Sequence, residues 1–136
     1  MSGRERTQVQ AVRDFYAAVR DSRVIELLAL VHPDVGCVPL ARDGMGRYAG
    51  HQGMVALIQD LHGAHGNYQA EIDGIRESGP RVMVDARIFP EPGYGRSPLS
   101  ITTVFTFRDS LIEVIRSEPG PAERSGQTGD HLLRRT

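Results

Sequence analysis

The sequence contains no lysine and no tryptophan, has one cysteine, and offers no long apolar run. Each absence excludes something. Without lysine there is no Schiff-base chemistry and no phosphate-loop lysine; all 16 basic residues are arginine. Cys37 alone permits neither an intrachain disulfide nor a cysteine-based zinc cluster. No apolar stretch approaches the ~18 residues that cross a bilayer. The opening Met-Ser-Gly-Arg-Glu-Arg lacks the apolar heart of a secretory leader. We therefore expect a cytoplasmic protein with no membrane partner. Basic and acidic residues nearly balance, 16 against 17, with a formal net charge of -1. Phosphate binding needs clustered positive charge, so no nucleic-acid partner is expected.

What is present suits one globular domain. The chain has 136 residues, 40% hydrophobic and 24% charged. Such a length buries roughly two-thirds of the unfolded surface, a core that needs no staple. Thr7 and Gln10 have capping-box spacing, and Val9, Val12, Phe15, Tyr16 and Val19 recur at helical spacing. Asp21 and Ser22 can cap a second helix carrying Ile25, Leu28 and Val31. That helix is expected to stop near His32-Pro33, because the residue before proline avoids the α region. Val35 to Leu40 reads as a short strand and Arg42 to Gly50 as a glycine-rich loop. Met54, Val55, Leu57, Ile58 and Leu61 form a third helix, ended at Gly63.

The second half changes period from helix to strand. Tyr68 to Glu77 alternates, with Gly74 a candidate bulge. Arg81 to Phe89 places Val82, Val84, Ala86 and Ile88 on one face and Arg81, Met83, Asp85 and Arg87 on the other. A Pro/Gly loop over Pro90 to Pro98 leads to a strand from Leu99 to Phe107, a tight turn at Asp109-Ser110, and a last strand from Leu111 to Glu118. From Pro119 onward the chain is polar and rich in glycine and proline. We expect a domain over 1–118 and a flexible tail over 119–136. Helices followed by an antiparallel meander give the α+β class. The expected shape is a cone, a curved antiparallel sheet with three N-terminal helices across its hollow. Such a cone is a natural pocket for a small molecule.

This layout resembles the SnoaL-like branch of the NTF2-like superfamily. The resemblance is carried by Val12-Arg13-Asp14-Phe15-Tyr16-Ala17-Ala18, by Leu27 to Asp34, by Tyr48-Ala49-Gly50-His51-Gln52-Gly53-Met54, and by the closing hairpin from Thr103 to Arg116. The superfamily includes polyketide cyclases, ketosteroid isomerases, epoxide hydrolases and non-catalytic members. Carried across by position, the isomerase's oxyanion tyrosine falls at Phe15, with Tyr16 one residue off. Its base falls at Pro39 and its second oxyanion donor at Thr103. The acid of the cyclases and epoxide hydrolases falls at Ser117. The resemblance thus implies a site whose carboxylates are all missing, and proton abstraction beside a carbonyl needs a tuned base.

By strand parity the same alignment turns Cys37, Pro39, Val84, Ala86, Ile88, Ile101, Thr103, Phe105, Ile115 and Ser117 towards the hollow. This is an apolar wall with a few hydroxyls and a thiol. It suits a hydrophobic ligand with one or two polar groups, or equally an ordinary filled core. The candidate ligand-binding residues are Tyr16, Cys37, Tyr48, Thr103, Phe105 and Ser117. His51, at the start of the third helix, is the candidate catalytic base, since a neutral imidazole can act near pH 7. The plainer reading of His51 is a solvent-facing helix start. His62 and His65 share i, i+3 spacing, but no carboxylate joins them, so no metal site is expected. Cys37 has no evident partner to lower its pKa and reads as a small buried hydrophobe. Asp85 and Arg87 point to the outer face, where an ion pair in solvent or at a dimer contact is expected. The outer face around Met83, Asp85, Arg87 and Thr102 suggests a homodimer. Two functions remain open: a small-molecule pocket protein, in its enzyme form a cyclase, isomerase or hydrolase of polyketide-like metabolites with a non-standard site, and a non-catalytic ligand-binding or dimerising accessory domain. No cofactor is expected.

Overall fold

The computed structural model describes residues 7–40 and 46–124. Helix α1 (Gln8–Arg20) begins where the Thr7 hydroxyl accepts the Gln10 backbone N–H at 3.0 Å. The return half of the capping box does not form, because the Gln10 amide donates instead to Asp14 at 2.8 Å. Helix α2 (Val24–Leu30) starts without a side-chain cap. The expected caps are otherwise engaged: Asp21 pairs with Arg20 at 3.0 Å, and Ser22 adopts φ 55 in the turn.

Strand β1 (Val31–Val38) begins four residues before the expected Val35. The rule that ended the helix before Pro33 also favours extended backbone there. The missing proline N–H falls where the pairing register shifts, between Val31 and Gly36. A two-residue strand β2 (Tyr48–Ala49) pairs antiparallel with β1 inside the segment expected as loop. Residues 41–45 of that segment lie outside the described residues. Helix α3 (Gly50–His65) runs through Gly63 to a left-handed Gly66 at φ 67. Gly63 therefore does not end it; an isolated glycine weakens a helix by only about 1 kcal/mol.

Strands β3 (Gln69–Ser78), β4 (Arg81–Phe89), β5 (Leu99–Arg108) and β6 (Leu111–Pro119) form an antiparallel meander. The expected bulge appears between Ile72 and Gly74. The sheet order is β2-β1-β6-β5-β4-β3. One pairing departs from the antiparallel expectation: β1 runs parallel to β6. The chain leaves β1 and returns to its edge only after β2, α3 and the meander, so both strands point the same way. The helices cover one face, and Val12, Leu27, Met54, Val82, Phe105 and Ile112 are fully buried between helices and sheet. Of the stretch expected as tail, Pro119 closes β6, the Gly120 N–H donates to Ser100 O at 2.8 Å, and Pro121–Arg124 forms a helical turn, α4. Residues 125–136 lie outside the described residues. On the outer face Thr102, named for a dimer contact, is 1% exposed within the single chain and donates to Asp85 at 2.6 Å.

Candidate functional site

A cavity of about 110 Å³ lies between α1, α3 and the concave face of the sheet. The parity rule that fills a sheet's inner face builds most of it. Cys37 and Pro39 come from β1 and its end, Ala86 and Ile88 from β4, Ile101, Thr103 and Phe105 from β5, and Ile115 and Ser117 from β6. Val84 shares the inner face of β4 and is fully buried in the core, outside the lining. Partly exposed Pro39, Leu61, Ile88 and Leu99 form an apolar mouth where β1, β4 and β5 meet the end of α3.

The wall is mostly apolar, and its polar members are Tyr16, Cys37, His65, Tyr68, Thr103 and Ser117. Thr103 Oγ1 meets Ser117 Oγ at 2.9 Å, and Tyr16, on α1, lines the cavity beside them. Desolvation pushes the Tyr16 phenol well above its ordinary value, so it stays protonated. Its ring packs edge-on against Phe105 at 5.8 Å, and Phe15 does the same at 5.3 Å. Tyr16, and not the aligned Phe15, thus brings a phenol to the position beside Thr103. Burial pushes the Cys37 thiol up to about 12, which makes it a poor nucleophile at neutral pH. Among the described residues no aspartate, glutamate or arginine lines the cavity.

Two expected site residues stand elsewhere. Tyr48 is buried under the first turns of α3, and its hydroxyl donates to Asp60 at 2.5 Å. Desolvation first, then the Asp60 carboxylate, pushes its phenol up to about 12. It clasps the helix and does not line the cavity. His51 Nε2 lies 3.3 Å from Val31 O, and His51 too is outside the lining. That contact places it beside Val31, where α2 gives way to β1. His62 Nε2 meets Val19 O at 3.0 Å, and His32 Nδ1 accepts the Asp34 N–H at 3.0 Å. Among the described residues no three His, Cys, Asp or Glu side chains stand together as a metal would need.

Sequence reasoning missed His65 and Tyr68 as wall residues. The signal for His65 was the helical period itself, which continues from Met54 through Leu57, Ile58 and Leu61 once Gly63 is not taken as a stop. Burial pushes the Tyr68 phenol up to about 12.

The model of the SnoaL-like domain matches residues 12–115. The chain belongs to the SnoaL-like domain family. No curated protein matches the sequence. Solved structures share this SnoaL-like fold. TerC, co-crystallized with polyporic acid, superposes with a TM-score of 0.72 at 21% identity over 88% of this chain and 95% of that one. An NTF2-like protein of unknown function from Burkholderia pseudomallei gives 0.72 at 24%, over 86% and 93%. An LEH-like epoxide hydrolase of M. tuberculosis gives 0.68 at 19%, over 93% and 87%. At these identities the likeness speaks for the fold alone. No helix among the described residues is long and apolar enough to cross a membrane.

Proposed function

We propose that this SnoaL-like domain binds a hydrophobic small molecule in the cavity, with a polar oxygen of the ligand held by the Tyr16–Thr103–Ser117 hydroxyls. The observation that carries this reading is that group of hydroxyls, Thr103 bonded to Ser117 with Tyr16 beside them, set in a mostly apolar wall. A filled core would bury such groups only to satisfy one another; here they face about 110 Å³ of space. An engineered apolar cavity of ~150 Å³ holds benzene, so the body of the ligand is about one small ring, with larger parts passing through the mouth. The co-crystal of TerC with polyporic acid supports a small-molecule role for a fold of this shape.

The wall favours binding over chemistry led by a carboxylate. The positions aligned with an acid or base hold Pro39, Thr103 and Ser117, and none can take a proton near neutrality. An enzyme form of this reading, a cyclase, isomerase or hydrolase acting on polyketide-like metabolites, needs a base from elsewhere in the lining.

Thermal denaturation with small neutral aromatic aldehydes and phenols tests the reading. The melting temperature is expected to rise with ligand concentration. Ala86→Phe, which fills the cavity from β4, is expected to fold and to lose that rise. No rise in the unaltered protein with any of these probes sinks the proposal.

A further inference from the structure

One phenol of the wall has no role in the reading above. Tyr68 lines the cavity and is 6% exposed. Its place is set from both sides. Its N–H donates to Gly66 O at 3.0 Å, and Gln69 begins β3 directly after it. Its ring lies against the rings of His62 and His65, with centroids 5.4 and 6.3 Å away. Among the described residues no group hydrogen-bonds its hydroxyl, yet that oxygen is not sealed in the packing. With the phenol pushed up to about 12 by burial, the proton stays in place and is open to an acceptor. A buried donor left without a partner costs about 1–3 kcal/mol.

Thr103 and Ser117 hold a second donor. Two hydroxyls joined by one hydrogen bond have used one of their two protons and keep the other. The strand register separates the two places. Ala70, Ile88 and Leu99 pair in one row across β3, β4 and β5, at the mouth; Ile75, Val84 and Thr103 pair in another. Thr103 stands in the second row, and Tyr68 stands beyond the first. One ligand oxygen therefore does not serve both. Charged groups fit neither place, because no described arginine or carboxylate of the lining would compensate them. The rings of Phe15, Tyr16, Tyr68 and Phe105 favour a flat ligand.

We propose that Tyr68 selects the ligand: its hydroxyl donates to an acceptor oxygen at the mouth end of a flat, uncharged molecule whose other acceptor oxygen lies at Thr103 and Ser117. This inference rests on the pocket reading, and it names the ligand class as an uncharged ring with a carbonyl-type oxygen at each end.

The test titrates the whole chain by NMR, near pH 7, with benzene-1,4-dicarbaldehyde and with 4-vinylbenzaldehyde, its flat isostere with CH2 in place of one oxygen. The chain has no lysine, so these aldehydes meet no side-chain amine. The dialdehyde is expected to bind about fivefold more tightly, the gain from one hydrogen bond. It is also expected to shift the Tyr68 ring carbon that bears the hydroxyl, which the vinyl compound leaves in place. In Tyr68→Phe the ratio is expected to fall to about one, with the vinyl compound's affinity within about twofold. That variant is expected to melt no lower than the parent, because no described group loses a partner. Tyr16→Phe is expected to keep the ratio. Should Tyr68→Phe not fold, the ratio and the ring-carbon shift in the unaltered protein decide. A ratio near one there, an unmoved ring carbon, a ratio that survives Tyr68→Phe, or one lost in Tyr16→Phe overturns the assignment and leaves the pocket standing. Failure of both probes to bind removes the pocket reading and the assignment with it.

Discussion

Tyr16 shows how far a residue can be read from sequence. Positional alignment put the phenol one residue away, at Phe15, yet α1 turns both rings to the cavity and only Tyr16 carries a hydroxyl there. Helical neighbours differ by about 100° in direction, so sequence alone does not say which of two adjacent aromatics points at the sheet. Strand residues were easier, because their period of two leaves one choice. Cys37 is a case where burial decides chemistry. With its thiol pushed up to about 12 by desolvation and 4% exposed, it is expected to react with an aromatic disulfide reagent at about pH 8 more than about a hundredfold slower in the folded protein than in urea. Labelling at equal rates would show an accessible thiolate and a different β1. On the outer face, the Arg87 hydrogen bond first, then its charge, holds the Asp73 carboxyl below its ordinary value. A depressed carboxylate stabilises the fold above its unfolded pKa, near ~3.9, and loses that contribution as pH falls through the folded value. The melting temperature of Asp73→Asn is therefore expected to lie slightly below that of the parent at neutral pH and to converge with it in acid. Because the pair is exposed, the gap is small; a gap that widens on acidification contradicts the assignment.

At the scale of elements, two glycines three residues apart separate what sequence could and could not tell. Gly63 looked like a helix stop and is not; Gly66 is the stop. The difference lies in surroundings that a single sequence does not carry. A Cβ on Gly63 would meet nothing within 4 Å, while one on Gly66 would come 2.5 Å from Glu91 Oε1 and 2.6 Å from Tyr94. Gly66 also holds φ 67, and Glu91 Oε1 accepts the next N–H, of Asn67, at 2.7 Å. Gly63→Ala is therefore expected to stabilise by up to ~1 kcal/mol through helix propensity. Gly66→Ala is expected to destabilise by ~1–3 kcal/mol through a strained backbone and a displaced 90–98 loop. Urea denaturation of both variants checks the pair; equal effects would mean that α3 ends elsewhere. The same limit explains β1. Local rules placed a break at Pro33 correctly, but whether the chain beyond it joins β6 parallel or antiparallel depends on where α3 and the meander return it.

For the whole molecule, what lies outside the cone matters as much as its hollow. The outer sheet face joins Met83 to Val104, and Val104 to Arg116, across three strands. Its charges are largely answered within the face: Arg87 bonds Asp73 and Glu71 at 2.8 and 3.0 Å, and Arg76 stands 3.4 Å from Asp85. Ion pairs already made in the monomer add little specificity to a contact, so the half-buried Met83, Val104 and Val114 carry what apolar attraction the face has. We propose a homodimer through this face, centred on Met83 and Val104 and without Thr102, which the fold has already enclosed. A charge set among those apolar groups would have to be desolvated on both copies at once. Light scattering at micromolar concentration is accordingly expected to give the mass of two chains for the parent and of one for Val104→Asp. Val104 is absent from the cavity lining, so the variant should still gain melting temperature from ligand. A parent that scatters as a single chain removes the dimer. A Val104→Asp monomer that no longer answers to ligand would show that the second copy shapes the pocket from outside.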